Sequence, residues 1–415
     1  MNPADFVVVG AGVIGVNIAT ELKRRHPDAR VLVLEKEEAP GLHASGRNSG
    51  VLHAGFYYTA DSLKARFTRV GNRLMHEYCE AKGLRLNRCG KLVVARDESE
   101  LPVLAELLQR GRVNGVELRQ VDEREAREIE PRVRTYQKAL FSPTTSTVDP
   151  AEVMRCFVED ARRLGVEVLA GCAYLGRKGH IVRTSRGDVE CGFLVNAAGL
   201  HADRIARDHG FSERYRILPF KGLYLYSSEP PGAFRTNIYP VPNLRNPFLG
   251  VHVTVTTEGR AKIGPTAIPC LWREQYGWFD KFDLREFAQI LGSSVDLLFR
   301  AGFDFRGLAL EEVRKYRRRT MVSQAARLAD GIRPEQYLAW GRPGIRAQLF
   351  DLKQRTLVQD FCIEAGDRSL HILNAVSPGW TCAIPFSRYV CDRIESGLTR
   401  SASGSEPDPI LESAS

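Results

Sequence analysis

Two short apolar runs and the glycines between them constrain this chain more than any other stretch. Phe6-Val-Val-Val leads into Gly10-Ala-Gly-Val-Ile-Gly15, a helical segment follows through Arg25, and Val31-Leu-Val-Leu-Glu35 closes the unit. Runs of Val and Leu without polar alternation suit strands buried on both faces, as in a parallel sheet. The Gly-x-Gly-x-x-Gly spacing falls where a strand gives way to a helix, whose first amides can hold a pyrophosphate. Glu35 stands twenty positions after Gly15, at the end of the second strand, where a carboxylate accepts ribose hydroxyls. A glycine pattern alone is weak evidence, but here strand, helix and acid are in register. Gly10, Gly12 and Gly15 are expected along the pyrophosphate, with Glu35 and Lys36 at the ribose.

Two later stretches favour FAD over a nicotinamide dinucleotide. Cys191-Gly-Phe-Leu-Val-Asn-Ala-Ala-Gly199 is a second apolar run that would bring Ala198 and Gly199 beside the first fingerprint, and Ser377-Pro-Gly-Trp-Thr-Cys-Ala-Ile-Pro385 opens a C-terminal helix. The amides of Gly379, Trp380 and Thr381 could then meet a further anionic ligand atom. Read on their own, these stretches are a buried strand end and a helix start.

Between them lie helical segments at 64–82, 101–113 and 150–164, strands near 90–95 and 166–170, and Gly/Pro-punctuated β-type runs from 217 to 268. The expected fold is α/β: a Rossmann-like domain on a parallel sheet, with an inserted α+β domain on an antiparallel sheet. Residues 1–84, 151–214 and 341–396 are assigned to the first, 85–150 and 215–340 to the second, and 397–415 to a disordered tail.

The formal net charge of +9 fits anionic partners of several kinds. The stretch 283–328 reads as two basic amphipathic helices, the second running from Leu308 to Leu328 with Arg314, Lys315, Arg317, Arg318 and Arg319 on its polar side. They are either a solvated face or a surface for anionic lipid. Nucleic acid is not expected, because no aromatic platform accompanies the charges. Nine cysteines occur with no Cys-x-x-Cys pair and no Cys/His cluster at zinc spacing, so no metal site is expected and the thiols read as free in a reducing compartment. No apolar run is long enough to span a bilayer.

Ser45 to Tyr58, Ser-Gly-Arg-Asn-Ser-Gly-Val-Leu-His-Ala-Gly-Phe-Tyr-Tyr, is dense in glycine and hydrogen-bonding groups and suits a chain running along a flat polar ligand. With the fingerprint and the 191–199 return, it resembles the FAD-dependent oxidoreductases related to D-amino-acid oxidase. Asn48–Tyr58, Pro247-Phe-Leu-Gly-Val-His-Val-Thr254 and Gly344-Ile-Arg-Ala-Gln348 look more narrowly like the L-2-hydroxyglutarate dehydrogenase/oxidase family. The resemblance spans about residues 5–395. It departs at Lys221-Gly-Leu-Tyr224, where the family pattern has Arg-Gly-Glu/Asp-Tyr, and at Asn374–Pro385, where the family has a loop rich in Ser and Thr.

The resemblance implies oxidation of L-2-hydroxyglutarate to 2-oxoglutarate, with electrons passed to a quinone or to oxygen. It also implies a peripheral membrane association, at the cytoplasmic face of the inner membrane. His53 carries over as the base that takes the hydroxyl proton, with His252 in reserve. A dicarboxylate needs cationic or donor-rich ends, for which Arg346 comes first, supported by Lys221, Lys262, Tyr57, Tyr58 and Tyr239. Ser45 and Arg47 are expected at the diphosphate and Asn48, Ser49 and Gly50 at the flavin edge. FAD is expected to be non-covalent, since a lone cysteine such as Cys382 is usually a small hydrophobe. The alternatives are another 2-hydroxy-acid or amino-acid oxidase of the same fold, or a flavin-binding redox sensor without turnover.

Overall fold

The strand Ala4–Val9 stops at Gly10, the helix Val13–Arg25 starts from Gly12, and the strand Val31–Leu34 returns parallel to the first with Phe6 opposite Val31. This computed structural model describes residues 1–244, 248–300 and 305–403. Gly15 is the reason helix and strand sit so close, because a Cβ there would lie 2.0 Å from the Gly10 carbonyl oxygen. Five parallel strands form the centre of the sheet in the spatial order Glu167–Leu169, Val31–Leu34, Ala4–Val9, Val189–Asn196 and Ser369–Asn374. The run ending in Asn196 therefore returns beside the fingerprint strand as expected, with Val9 opposite Asn196. Helices Val13–Arg25, Pro150–Arg163 and Gly379–Ser403 supply buried residues such as Ile18, Phe157 and Phe386 to the core on one face.

A second sheet of eight strands draws on both intervening stretches. Lys91–Val94, Arg119–Asp122 and Lys138–Ser142 come from the first, and Leu225–Tyr226, Asn237–Pro240, His252–Val255, Ala261–Gly264 and Ala339–Trp340 from the second. Its pairs are antiparallel apart from Asn237–Pro240 on Lys91–Val94. The strand Gly344–Asp351 pairs along its whole length with Tyr215–Gly222 in a separate four-stranded sheet, which packs beside the parallel sheet through Ile345 and Leu349 against Leu200 and Leu373.

The basic stretch departs from the expected pattern. Leu308 to Leu328 is not one helix but two, Phe305–Arg314 and Arg318–Ala325, because Arg317 takes an extended conformation between them. Lys315 turns inward at this break, buried against Glu312. The final helix runs on to Ser403, past the expected start of a tail at 397, and the remainder of that tail, 404–415, lies outside the described residues. Among the described residues no helix is long and apolar enough to cross a membrane.

Candidate active site

A cavity of ≈ 760 Å³ runs along the carboxyl ends of the parallel strands, where open α/β sheets bind their ligands. Glu35 and Lys36 line it beside the second strand, Gly10 and Gly12 at the fingerprint turn, Ser45, Asn48 and Ser49 beyond, Ala198 and Gly199 along another wall, and Gly379 and Trp380 at the start of the last helix. Gly10 holds a φ of +103°, a left-handed conformation that side chains rarely adopt. The Glu35 carboxylate accepts the amides of Ala11 at 3.0 Å and Glu37 at 2.9 Å, which ties the glycine turn to the second strand. Ser45 Oγ accepts the Val13 amide at 2.9 Å, so a side chain from outside the helix caps its start, and both line the cavity. Two helix N-termini, at Val13 and Gly379, thus give the cavity a positive lining suited to anionic groups. Gly12 leaves a cradle that a Cβ would fill, 3.0 Å from Ser45 Oγ. Among the lining side chains, His53 Nδ1 and Trp380 Nε1 are buried without a partner. An elongated dinucleotide with an anionic centre fits these residues.

Four expected cofactor contacts sit behind the cavity wall instead. Gly15 makes the close helix–strand approach. The Arg47 guanidinium donates to the carbonyls of Leu42 (2.6 Å) and Pro343 (3.4 Å) and lies 4.3 Å from the Tyr276 ring centroid, so it pins the loop rather than lining the channel. Gly50, at φ +75°, passes close to the Val148 carbonyl. Thr381 is fully buried, its hydroxyl oxygen accepting the His53 amide at 3.1 Å. Cys382 is likewise in the core, its thiol pushed up to about 12 chiefly by burial, and it lines neither cavity.

A smaller chamber adjoins the first, and Ser49, His53, Arg346, Val376 and Ser377 line both. Its other walls include Lys64, Tyr224, Tyr239, His252, Gln348 and Gln359, and none of its lining residues is a carboxylate. Arg346 projects from Gly344–Asp351 and donates through Nη1 to the Thr266 carbonyl at 2.9 Å, which fixes one edge of its planar fork. His53 is buried, and its pKa is held well below 6.5 by that burial and by the nearby positive charge of Lys91. His252 is also buried and is pulled down to about 3, mainly by desolvation. Both rings are therefore neutral around pH 7.

The other expected substrate contacts lie elsewhere. Tyr57 lines neither chamber; its ring packs on Phe56, and its hydroxyl is buried without a partner. Tyr58 is also off both walls, its carbonyl held by Asn114 Nδ2 at 2.9 Å. Lys221 faces away because it pairs with Ile345 while the neighbouring Phe220 pairs with Arg346, and alternate strand residues point to opposite faces. Lys262 is buried beneath the Ser45–Gly50 segment, donating to the Ser49 carbonyl at 3.1 Å. Lys64, Gln348 and Gln359 were not expected in the site. Gln348 could have been found by parity, two residues beyond Arg346 on one strand face, whereas Lys64 reads as one polar position of an amphipathic helix.

Lys36 is engaged at the rim, pairing with Glu37 and, at 2.5 Å, with Glu274. Glu37, His43 and Glu274 bring three possible ligand atoms within 4.8 Å of one another, but the Lys36 and Lys281 ammonium groups already occupy the acidic oxygens.

The family model described as FAD dependent oxidoreductase matches residues 5–393. A solved structure of dithionite-reduced L-α-glycerophosphate oxidase from Mycoplasma pneumoniae with FAD bound superposes with a TM-score of 0.76 at 20% identity, covering 95% of each chain, a likeness that shows the fold. The chain is thus an FAD-dependent oxidoreductase. Over 422 residues it is 35% identical to the mitochondrial L-2-hydroxyglutarate dehydrogenase of Nematostella vectensis, covering 95% of this chain and 91% of that protein. Against the L-2-hydroxyglutarate dehydrogenase of Escherichia coli K12 it is 34% identical over 419 residues, covering 99% and 97%. Within the flavin oxidoreductases, the chain belongs to this L-2-hydroxyglutarate dehydrogenase family.

Proposed function

We propose that this protein oxidises L-2-hydroxyglutarate to 2-oxoglutarate in the small chamber, with His53 as base and Arg346 as the receptor of the carboxylate next to the reacting carbon. The observation that carries this reading is the shared wall: His53 and Arg346 line both the FAD cavity and the chamber, so an acid held by Arg346 presents its C2 where the two spaces meet. The hydroxyl proton goes to a neutral His53 nitrogen, the C2–O bond becomes a carbonyl, and bound flavin supplies the acceptor for the C2 hydride. Arg346, with one edge tied to Thr266, keeps its remaining N–H groups for bidentate carboxylate capture. His53 needs no deprotonation before it acts, because its environment keeps it neutral. FAD is held without a covalent bond, in accord with the core position of Cys382.

The test is anaerobic flavin reduction with L-2-hydroxyglutarate, its D isomer, L-malate and a panel of L-amino acids. Bleaching by L-2-hydroxyglutarate at the lowest concentration is expected; faster bleaching by an amino acid, or none by the hydroxy acid, would sink the assignment.

We further propose that the reduced flavin passes its electrons to a quinone or to oxygen, and that the protein docks peripherally on the cytoplasmic face of an anionic inner membrane. Support comes from an exposed apolar tip, Trp278 at 87% and Phe279 at 82% accessible, followed by the exposed Leu284 at the start of the stretch 283–328. Interfacial surfaces combine such aromatics with lysine and arginine. Co-sedimentation with anionic but not neutral vesicles, weakened by salt and by Trp278→Ser with Phe279→Ser, is expected; equal recovery in the supernatant with both vesicles would remove the idea.

A further inference from the structure

Lys64 occupies the first turn of the helix Leu63–Ala81 and lines the small chamber without lining the FAD cavity. The acid nearby is already committed. Asp360 accepts the amides of Leu63 at 2.7 Å, Lys64 at 3.0 Å and Phe361 at 2.8 Å, and acts on the Lys64 ammonium only through space. Among the described residues the ammonium makes no ion pair, and it lies 5.8 Å from the Tyr58 ring centroid. Gln348 Nε2 donates to the backbone carbonyls of Val358 at 2.8 Å and Leu349 at 3.4 Å, and Gln359 Nε2 to that of Leu357 at 3.3 Å.

Among the described residues the chamber is therefore lined by two cations, Arg346 and Lys64, and by no carboxylate. Arg346 stands at the opening to the FAD cavity, and Lys64 stands only on the chamber's own wall. The half-buried Lys64 ammonium has Asp360 near it only through space and no carboxylate in contact, so a ligand that brings an anion to it gains a direct charge-assisted contact. We propose that Lys64 receives the substrate's distal carboxylate and so selects a dicarboxylate over a monocarboxylate 2-hydroxy acid. This assignment rests on the reaction proposed above, because Arg346 must hold the carboxylate next to C2 for Lys64 to meet the other.

The experiment compares wild-type holoenzyme with Lys64→Met and Lys64→Arg on L-2-hydroxyglutarate and on L-2-hydroxypentanoate, a monocarboxylate of the same chain length. Loss of one charge-assisted contact corresponds to roughly a 10- to 100-fold effect. For Lys64→Met the kcat/KM ratio of dicarboxylate to monocarboxylate is expected to fall by about that factor, mostly through KM, with Lys64→Arg recovering much of it. An unchanged ratio, or an equal loss on both substrates, overturns the role of Lys64 and leaves the reaction standing. A wild-type flavin that L-2-hydroxyglutarate does not reduce overturns the reaction itself, and the Lys64 role with it. Flavin content and melting temperature verify folding of each variant. Should Lys64→Met not fold, Lys64→Arg and Lys64→Gln carry the same ratio test, and calorimetric binding of glutarate to the wild-type holoenzyme must exceed that of pentanoate at least 10-fold for the proposal to stand.

Discussion

Tyr239 and His252 lie face to face across adjacent antiparallel strands, their ring centroids 3.7 Å apart and their planes 19° from parallel. The stack fixes the imidazole, and Nδ1 donates to the Gly250 carbonyl at 2.8 Å, which leaves Nε2 as an acceptor on a ring that lines the small chamber. His252 is thus a fixed neutral acceptor, while His53 lines both cavities. Replacing His53 by Ala is expected to leave FAD bound and to slow anaerobic flavin reduction by about 100-fold or more, the lower range of general-base contributions. His252→Phe, which keeps an aromatic ring against Tyr239, is expected to slow it by less than about 10-fold. The reverse ranking in stopped-flow traces would transfer the base to His252.

Lys91 is fully buried, its ammonium without a hydrogen-bond partner and 4.6 Å from the ring centroids of both Phe56 and Tyr57 and 5.0 Å from that of Tyr239. Aromatic faces offset only part of the cost of burying that charge, and burial lowers its pKa from 10.5 to about 7. The sign follows. Below about 7 the group is charged in the folded and unfolded chain and the cost is full; above 10.5 it is neutral in both and the cost is gone. Lys91→Met should therefore raise the melting temperature by about 1 °C or more near neutrality, with the gain shrinking as pH rises towards 10.5. The same variant removes a positive charge that holds His53 down, so the acid limb of kcat/KM should move to higher pH. An unmoved limb would show that Lys91 does not act on the base.

In the wild type the pH profile follows from the same groups. His53 is held well below 6.5 by burial, Lys91 and His252, so no loss of kcat/KM is expected as pH falls from about 8 to 6.5. On the alkaline side, burial lowers the Lys64 ammonium to about 8, and above that pH it loses its charge. The KM for a dicarboxylate should then rise while that for a monocarboxylate rises less. Steady-state kinetics at constant ionic strength reads both limbs, and a fall of activity centred near 6.5 would contradict a buried His53 base.

The parts of the molecule legible in the sequence are those encoded locally. The glycine turn, Glu35, Ser45 and Ser49 all follow one another within a short stretch, and the geometry of strand, turn and helix dictates what they face. The substrate wall is assembled from separate strands, where position depends on parity and register. Lys221 was misread for that reason: it lies beside the right strand but one residue out of phase with Arg346. Tyr57 and Tyr58 adjoin His53 in sequence, yet the chain turns at Gly55, φ +107°, and Tyr57 packs with Lys91 in the second core. Lys64 was hidden because a lysine in the first turn of an amphipathic helix reads as a solvated residue until Asp360, from nearly 300 positions later, is seen to occupy its amide.

The fingerprint glycines make separable predictions, because each excludes a side chain for a different reason. At Gly15 a Cβ would lie 2.0 Å from the Gly10 carbonyl oxygen, and neither the helix nor the strand can retreat without opening the parallel sheet. At Gly12 a Cβ would meet only the Ser45 hydroxyl, at 3.0 Å, a side chain able to rotate away. Rotation would cost the Ser45 bond to the Val13 amide at the helix start. Gly15→Ala is therefore expected to yield little folded protein, whereas Gly12→Ala should fold with a near-normal melting temperature as apoprotein and bind FAD about 10-fold more weakly, the effect of losing one hydrogen bond to the cradle. Flavin-to-protein ratio and FAD titration of the apoprotein measure this. Full flavin loading of Gly15→Ala would mean that the helix does not need its close approach to the strand to hold the cofactor.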